Sequence, residues 1–117
     1  MTTDRPNIYF VGAGGIGMAA LERYFLSKGK RVGGYDRTST DLTRALESEG
    51  VEITYSDAAE AIPQAFRNPG ETLVVYTPAV PDSHPGLQWF RANGFEVVKR
   101  AAVLGICLLY TSDAADE

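Results

Sequence analysis

A cluster of glycines follows an apolar stretch near the start of the chain. Residues 8–11 are apolar or aromatic, a helix-like segment begins at about residue 16, and four glycines lie between or within them: Gly12, Gly14, Gly15 and Gly17. Three of the four fit the spacing G-x-G-x-x-G, which permits a tight turn, close approach of a phosphate and close packing of helix on strand. Because N–H groups at a helix N-terminus attract anions, the segment predicts a diphosphate-binding turn. A glycine-rich turn that only packs is the alternative.

Composition is typical of one small soluble domain. The 117 residues are 44% hydrophobic and 22% charged, with one cysteine and one histidine. These counts exclude an intrachain disulfide and argue against a His/Cys metal site, so a reducing cytoplasm is the expected location. The net charge of −4 and the lack of a basic patch argue against a nucleic-acid partner. The polar N-terminus and short apolar runs argue against a signal peptide and a membrane segment.

Hydrophobic periodicity alternates between strand and helix along the chain. Short apolar runs predict strands at residues 7–11, 31–35, 51–55, 72–76 and 95–98. Between and after them, helical spacing predicts helices at residues 16–28, 40–49, 58–62 and 84–93, and another from residue 101. This order is that of an α/β protein with parallel crossovers. We predict a Rossmann-like open parallel five-stranded sheet with helices on both faces.

The helices predicted at residues 16–28 and 84–93 carry specific expectations. In the first, helical spacing favours inward positions for Ile16, Ala19, Ala20 and Tyr24, and an outward position for Glu22. At residue 84 the only histidine precedes a proline, and no cluster of ligand-type residues accompanies it. We interpret that histidine as a helix-start residue rather than a metal or substrate ligand.

Two polar positions follow predicted strands. Asp36 ends the second strand, where an acid is able to accept a hydrogen bond from a ribose hydroxyl; a simple turn-opening aspartate is the alternative. Thr77, followed by Pro78, ends the fourth strand. Ligands of open parallel sheets bind outside the carboxyl ends of the strands, although a strand-terminating turn would also explain this segment.

Four segments, in this order, resemble the amino-terminal domain of the Mur ligase family, and among its branches the one that adds L-alanine to UDP-N-acetylmuramate. They are Tyr9-Phe10-Val11-Gly12-Ala13-Gly14-Gly15-Ile16-Gly17-Met18-Ala19, Gly34-Tyr35-Asp36, Tyr76-Thr77-Pro78-Ala79-Val80, and Val98-Lys99-Arg100-Ala101 with Val103-Leu104-Gly105. The glycine segment with its doubled glycine is the most specific of them. The resemblance covers residues 7–106.

The resemblance implies a domain that binds the UDP part of UDP-N-acetylmuramate. The diphosphate and uridine would lie along Gly12, Gly14, Gly15, Ile16 and Gly17. The uridine end would meet Asp36, Arg37 and Thr38, and the neighbouring strand would contribute Thr77, Pro78 and Ala79. Such ligases of peptidoglycan biosynthesis use ATP and Mg²⁺ to activate a carboxylate that the amine of L-alanine then attacks. This chain has no G-x-x-G-K-[ST] loop, so we expect it to hold no catalytic residue, metal or cofactor and to be inactive alone.

The end of the chain departs from the family pattern. Residues 107–117 resemble a translated sequencing adapter, so we interpret residues 1–106 as the UDP-sugar-binding domain and the remainder as an artefact.

Two other functions fit the glycine motif. One is an NAD(P)-binding Rossmann domain of an oxidoreductase, although no His/Lys/Tyr constellation near the strand ends supports it. The other is a nucleotide-sensing regulatory module.

Overall fold

Five apolar runs form one parallel sheet. The computed structural model describes residues 5–103, and its strands run in the order β3-β2-β1-β4-β5. Their bounds are β1 (Asn7–Val11), β2 (Arg31–Tyr35), β3 (Glu52–Thr54), β4 (Thr72–Tyr76) and β5 (Glu96–Lys99). The central strands β1 and β4 are buried along most of their length, as expected for strands covered on both faces. The predicted five-stranded open parallel sheet is confirmed.

Helices cover both faces of this sheet. The three long ones are α1 (Ile16–Ser27), α2 (Asp41–Glu49) and α3 (Pro85–Ala92), and residues 100–103 are also helical. Phe10 of β1 packs in a core with residues of α1 and α2, whereas its neighbour Tyr9 packs in a second, aromatic core with residues of α3. Alternate side chains of a strand point to opposite faces, so β1 anchors both cores.

The connection from β3 to β4 differs from the prediction. Instead of one helix at residues 58–62, it contains two 3-10 turns, Ala59–Ala61 and Gln64–Phe66. Pro63 lies between them, and a proline cannot donate the hydrogen bond that would continue a helix. Phe66, from the second turn, is fully buried beside Tyr9. The crossover therefore covers the sheet with separate buried side chains, Ile62 and Phe66, rather than with a helix face.

The predicted orientation of α1 is wrong at three positions. Ile16, expected to be buried, is 86% exposed, and Ala20 is also exposed. Glu22, expected to face solvent, is completely buried. The inward face is instead formed by Met18, Ala19, Leu21, Glu22 and Phe25.

The register of the sheet aligns the carboxyl ends of its strands. Val11 of β1 lies opposite Tyr35 of β2 and opposite Tyr76 of β4. Tyr76 in turn lies opposite Lys99 of β5. The residues that follow these strand ends therefore start from one level along the edge of the sheet.

None of the helices within residues 5–103 is long and apolar enough to cross a membrane. The interpretation of residues 107–117 as an artefact, and the predicted domain end at residue 106, concern positions outside this range.

Candidate functional site

The aligned strand ends bring four distant residues to one edge. Immediately beyond β2, β1, β4 and β5 come Asp36, Gly12, Thr77 and Arg100. The chain reverses its direction of strand addition between β1 and β4. In open α/β sheets a crevice forms at that switch point and is the usual place for a ligand.

A cleft of about 410 Å³ opens at this switch point. It lies between the glycine loop after β1, the segment after β2 and the loop that joins β4 to α3. Seven of the residues predicted from the sequence line it: Gly12, Gly14, Gly15, Asp36, Arg37, Thr77 and Ala79. The fold thus brings together the three segments that the sequence identified separately.

Four of the predicted site residues lie outside the lining of this cleft. Ile16 projects into solvent at the start of α1, and Thr38 is exposed beyond Arg37. Pro78 lines a neighbouring surface pocket. Gly17 is the second residue of α1 and lies beneath the side chain of Arg100, which follows β5.

The glycine loop is held to β2 by backbone hydrogen bonds. Gly12 has a φ of 102°, which favours glycine, and the N–H groups of Gly12 and Ala13 donate to the carbonyl of Tyr35 at 2.8 and 2.7 Å. No side chain caps α1. Within residues 5–103, the N–H groups of Gly14, Ile16 and Gly17 find no acceptor. These groups stand at the positive end of a helix, an arrangement suited to an anion.

One side of this loop is acidic. A Cβ atom on Gly14 would overlap Oδ2 of Asp36, so the absence of a side chain there lets the carboxylate lie against the loop. Oδ1 of Asp36 accepts a hydrogen bond from the N–H of Arg37 at 2.6 Å. One oxygen is thus committed to the turn, and the carboxylate forms part of the cleft wall as a hydrogen-bond acceptor.

The other side of the loop is basic. A Cβ atom on Gly17 would overlap the guanidinium of Arg100, which therefore lies against the first turn of α1. Among residues 5–103, no carboxylate forms an ion pair with this guanidinium. A cation beside the positive end of a helix is electrostatically unfavourable. An anion bound between the guanidinium and the helix end would offset this repulsion. Arg100 belongs to one of the segments that resemble the family, but the sequence predicted no role for it.

The remaining wall comes from residues that sequence reasoning did not assign to the site. They are Tyr35, Val80, Pro81 and His84. The side chain of His84 accepts a hydrogen bond from the N–H of Leu87 and caps α3, which confirms its interpretation as a helix-start residue. Burial lowers the pKa of His84, while the nearby Asp57 acts in the opposite direction. No spacing rule connects His84 with Tyr35, because only the folded sheet brings their segments together.

Metal ligation has little support in the part of the chain that the structure describes. No group of three or more His, Cys, Asp or Glu side chains there is arranged to hold a metal ion. The site therefore offers backbone donors, one carboxylate and two arginines, a set suited to binding a phosphorylated ligand.

Comparison with known proteins identifies the family. The protein-family model described as "Mur ligase family, catalytic domain" matches residues 7–110, nearly the whole chain. The chain belongs to the Mur ligase family. This confirms the resemblance drawn from the glycine segment and the three motifs that follow it.

Curated relatives narrow the likeness to one branch of this family. The chain is 66% identical over 98 residues to UDP-N-acetylmuramate–L-alanine ligase of Parabacteroides distasonis, a match that covers 84% of this chain and 21% of the relative. It is 62% identical over 100 residues to the ligase of the same name from Phocaeicola vulgatus, covering 86% and 22%. The chain thus spans about a fifth of the length of these relatives.

A solved structure supports the same likeness. The crystal structure of UDP-N-acetylmuramate-alanine ligase from Thermotoga maritima superposes with a TM-score of 0.78 at 31% identity, covering 89% of this chain and 23% of that one. The α/β architecture derived from the periodicity is therefore also that of a family member.

Proposed function

We propose that this chain is the UDP-N-acetylmuramate-binding unit of an ATP-dependent UDP-N-acetylmuramate–L-alanine ligase of peptidoglycan biosynthesis, acting in the cytoplasm. The observation that carries the proposal is the cleft at the switch point, which Gly14, Gly15 and Asp36 line beside the free N–H groups at the start of α1. The names of the curated relatives indicate which nucleotide sugar such a cleft would bind.

The diphosphate is assigned to the glycine loop. The free N–H groups of Gly14, Ile16 and Gly17 offer hydrogen bonds to phosphate oxygens, and the helix dipole of α1 adds favourable potential. Arg100 lies on the same turn without an ion-pair partner among the described residues and would supply a positive charge. Gly12 and Gly15 complete the turn beneath the ligand.

The uridine is assigned to the acidic side of the glycine loop. The Asp36 carboxylate accepts hydrogen bonds from ribose hydroxyls, and Arg37 and Thr38 flank that end of the ligand. Thr77, Pro78 and Ala79, on the loop after β4, border the base or the first phosphate.

The ATP-dependent step is assigned to parts of the enzyme other than this chain. ATP binding in this chemistry uses a phosphate loop of the G-x-x-G-K-[ST] type together with Mg²⁺ ligands, and the 117 residues contain no such loop. ATP, Mg²⁺ and L-alanine are therefore partners of the whole ligase. In this assignment residues 1–106 form the substrate-binding domain and contribute orientation of the nucleotide sugar rather than catalytic groups.

A thermal-shift titration tests the assignment. UDP-N-acetylmuramate and UDP should raise the melting temperature of the 117-residue chain, because a ligand that binds only the folded state stabilises it by mass action. NAD and ATP should have little effect. Asp36→Asn should weaken the response to UDP, whereas Glu71→Gln, the same carboxylate-to-amide change at the opposite edge of the sheet, should not.

Two results would contradict the proposal. A larger shift with NAD than with any uridine nucleotide would favour the redox-domain alternative. ATP turnover by this chain alone would show that the assignment of the ATP-dependent step is wrong.

A further inference from the structure

The loop that joins β4 to α3 forms one wall of the cleft and ends at His84. Ala79, Val80, Pro81 and His84 all line the cleft. The N–H of His84 donates to the carbonyl of Pro81 at 3.0 Å, and the carbonyl of His84 accepts from the N–H of Gln88 at 3.0 Å. The position of this wall therefore depends on how the first turn of α3 is held.

The imidazole of His84 caps that first turn. Its Nδ1 accepts a hydrogen bond from the N–H of Leu87 at 3.2 Å, and Pro85, at the first position of the helix, has no N–H to satisfy. The first N–H groups of a helix have no partner within it, so a side chain that accepts from one of them stabilises the helix end. A ring nitrogen accepts only while it carries no proton, so this cap requires the neutral ring with its proton on Nε2.

Both nitrogens of His84 are placed unfavourably for the charged ring. A proton on Nδ1 would face the N–H of Leu87, so two donors would oppose each other and the cap would be lost. Nε2 is buried and has no hydrogen-bond acceptor among residues 5–103. No hydrogen bond at that atom would therefore offset the cost of burying a charge in a residue that is only 8% exposed. The geometry ties the cap to the protonation state of the ring.

Burial is the dominant influence on the ring. It lowers the pKa of His84, whereas the charge of Asp57, on the segment after β3, acts in the opposite direction. Tyr35 of β2 packs on the imidazole with ring centroids 4.5 Å apart. Other charged residues line the same cleft or belong to the loop before α3: Asp36, Arg37 and Asp82, which pairs with Arg91. Because the pKa lies below the ordinary value of about 6.5, His84 is neutral at pH 7 and becomes charged only in more acidic solution.

We propose that His84 is a pH-sensitive helix cap, which holds the wall of the cleft between β4 and α3 while the ring is neutral and releases it when Nδ1 takes a proton from solvent. The cap itself is independent of any ligand, whereas its effect on binding rests on the proposed function. Affinity for the nucleotide sugar would fall in acid as this wall loosens. By linkage, binding would in turn favour the neutral ring.

NMR measurements on the unmodified 117-residue chain test the cap directly. The ring signals of His84, the only histidine, should titrate with a midpoint below the ordinary value of about 6.5. Between pH 7.5 and 5.5 the protection of the Leu87 N–H against hydrogen exchange should fall about threefold, as expected for partial loss of one helix cap. The N–H groups of β4 should keep their protection, which separates release of the cap from unfolding of the whole chain.

His84→Asn keeps a cap and removes the titration. Asparagine is a preferred cap residue whose side-chain oxygen accepts from the first turn, so in this variant the protection of Leu87 should not depend on pH in this way. Asp57→Asn should move the titration midpoint of His84 to lower pH, because it removes the charge that favours the protonated ring. The matched control is Glu60→Gln, an exposed acid of the same segment, which should leave the midpoint unchanged.

Calorimetric titration with UDP-N-acetylmuramate connects the cap to the cleft. Between pH 7.5 and 5.5 the affinity of the unmodified chain should fall about threefold more than that of His84→Asn. The comparison between the two proteins cancels the titration of every other group that they share.

The outcomes separate this inference from the proposed function. If UDP-N-acetylmuramate does not bind at pH 7.5, the proposed function fails, and the NMR measurements still decide whether His84 is a pH-sensitive cap. If the ligand binds and both proteins lose affinity equally in acid, the cap does not control the cleft and the inference is wrong. Protection of Leu87 that ignores the protonation of His84, or a midpoint at or above the ordinary value, would overturn it without any variant.

Discussion

On each side of the glycine loop, a glycine without a Cβ atom makes room for a charged side chain, and the two side chains carry opposite charge. On one side Gly14 lies under the carboxylate of Asp36, and on the other Gly17 lies under the guanidinium of Arg100. In each case the absence of a Cβ atom lets a side chain from beyond a strand reach the start of α1. The motif glycines thus make room for protein side chains as well as for a ligand, so their spacing alone does not reveal which charge each side will present.

This difference divides the proposed ligand between two environments. Ribose hydroxyls are donors and suit the acidic side, whereas phosphate oxygens are acceptors and suit the basic side. A second carboxyl group, that of Glu22, is buried near enough to Asp36 for their charges to interact. Glu22 lies on α1, completely buried, with neither carboxylate oxygen hydrogen-bonded among the described residues.

The largest effect is expected from Glu22. Burial first, and the charge of Asp36 second, raise the pKa of Glu22 to about 9, against a small opposing effect of Arg23. The folded state therefore binds a proton that the unfolded state releases above about pH 4.5, and stability falls as the pH rises from there toward 9. Between pH 4.5 and 7 the loss is about 3 kcal/mol in the free energy of unfolding.

Glu22→Gln should remove this part of the pH dependence, because an amide does not titrate in this range. Urea unfolding between pH 4.5 and 8 measures it, with the exposed Glu60→Gln as a matched control that keeps the slope. A wild-type slope in Glu22→Gln would mean that Glu22 is ionised in the folded chain. Asp36→Asn should lower the pKa of Glu22 and so reduce the slope partly, which links the buried carboxyl to the acidic side of the loop.

The second-largest effect is expected from Arg100, through its contact with the charged phosphates of the ligand. Arg100→Gln should weaken UDP and pyrophosphate alike by about tenfold, close to 1.4 kcal/mol, and reduce the salt dependence of binding, because a charge-assisted hydrogen bond to phosphate is lost. Asp36→Asn should weaken UDP alone, since pyrophosphate has no ribose hydroxyls to donate to this carboxylate. Calorimetric titrations at low and high salt separate the two.

A charge control comes from the same helix. Lys28→Gln removes a positive charge just beyond the far end of α1, where Lys28 caps the helix, and should leave both affinities nearly unchanged. If Arg100→Gln weakened UDP but not pyrophosphate, the basic side would not be the diphosphate side, and the comparison drawn above would be wrong.

The sequence predicted the segments of the site because each follows directly on an apolar run. Strand ends can be read from where such a run stops, and the parallel topology brings those ends to one edge. That reasoning found Asp36 and Thr77 but not the partners that reach across from other elements. Arg100 and His84 act through side-chain reach and burial, which depend on packing between segments distant in the chain.

The errors in α1 have a different physical origin. Apolar residues occur on nearly every side of this helix, as Ile16, Met18, Ala20 and Leu21 illustrate, so periodicity did not determine which side faces the sheet. Packing against β1 and α2 decided it, exposing Ile16 and burying Glu22. A charged residue on a buried face is rare without a partner, and this is why the outward position was expected.

The smallest effect is expected from the glycines whose missing Cβ atoms make room for Asp36 and Arg100. Gly17→Ala should push the flexible end of Arg100 aside and weaken pyrophosphate binding about threefold. Gly14→Ala should displace the carboxylate of Asp36 and weaken UDP binding about threefold without affecting pyrophosphate binding. A threefold change is about 0.7 kcal/mol. Gly17→Ala meets only the flexible end of Arg100 and should unfold in urea within about 1 kcal/mol of wild type. Gly14→Ala also meets Cγ of Asp36 and the buried Thr43, so it should lose more stability than Gly17→Ala. Gly15→Ala is the control: the only side chain that its Cβ would meet is Met18, at an ordinary 3.6 Å from Cγ, and it would touch neither Asp36 nor Arg100. If Gly15→Ala weakened pyrophosphate as much as Gly17→Ala, crowding of the loop by a methyl group would explain the loss, and the two glycines would lose their distinct roles in setting the charge of each side.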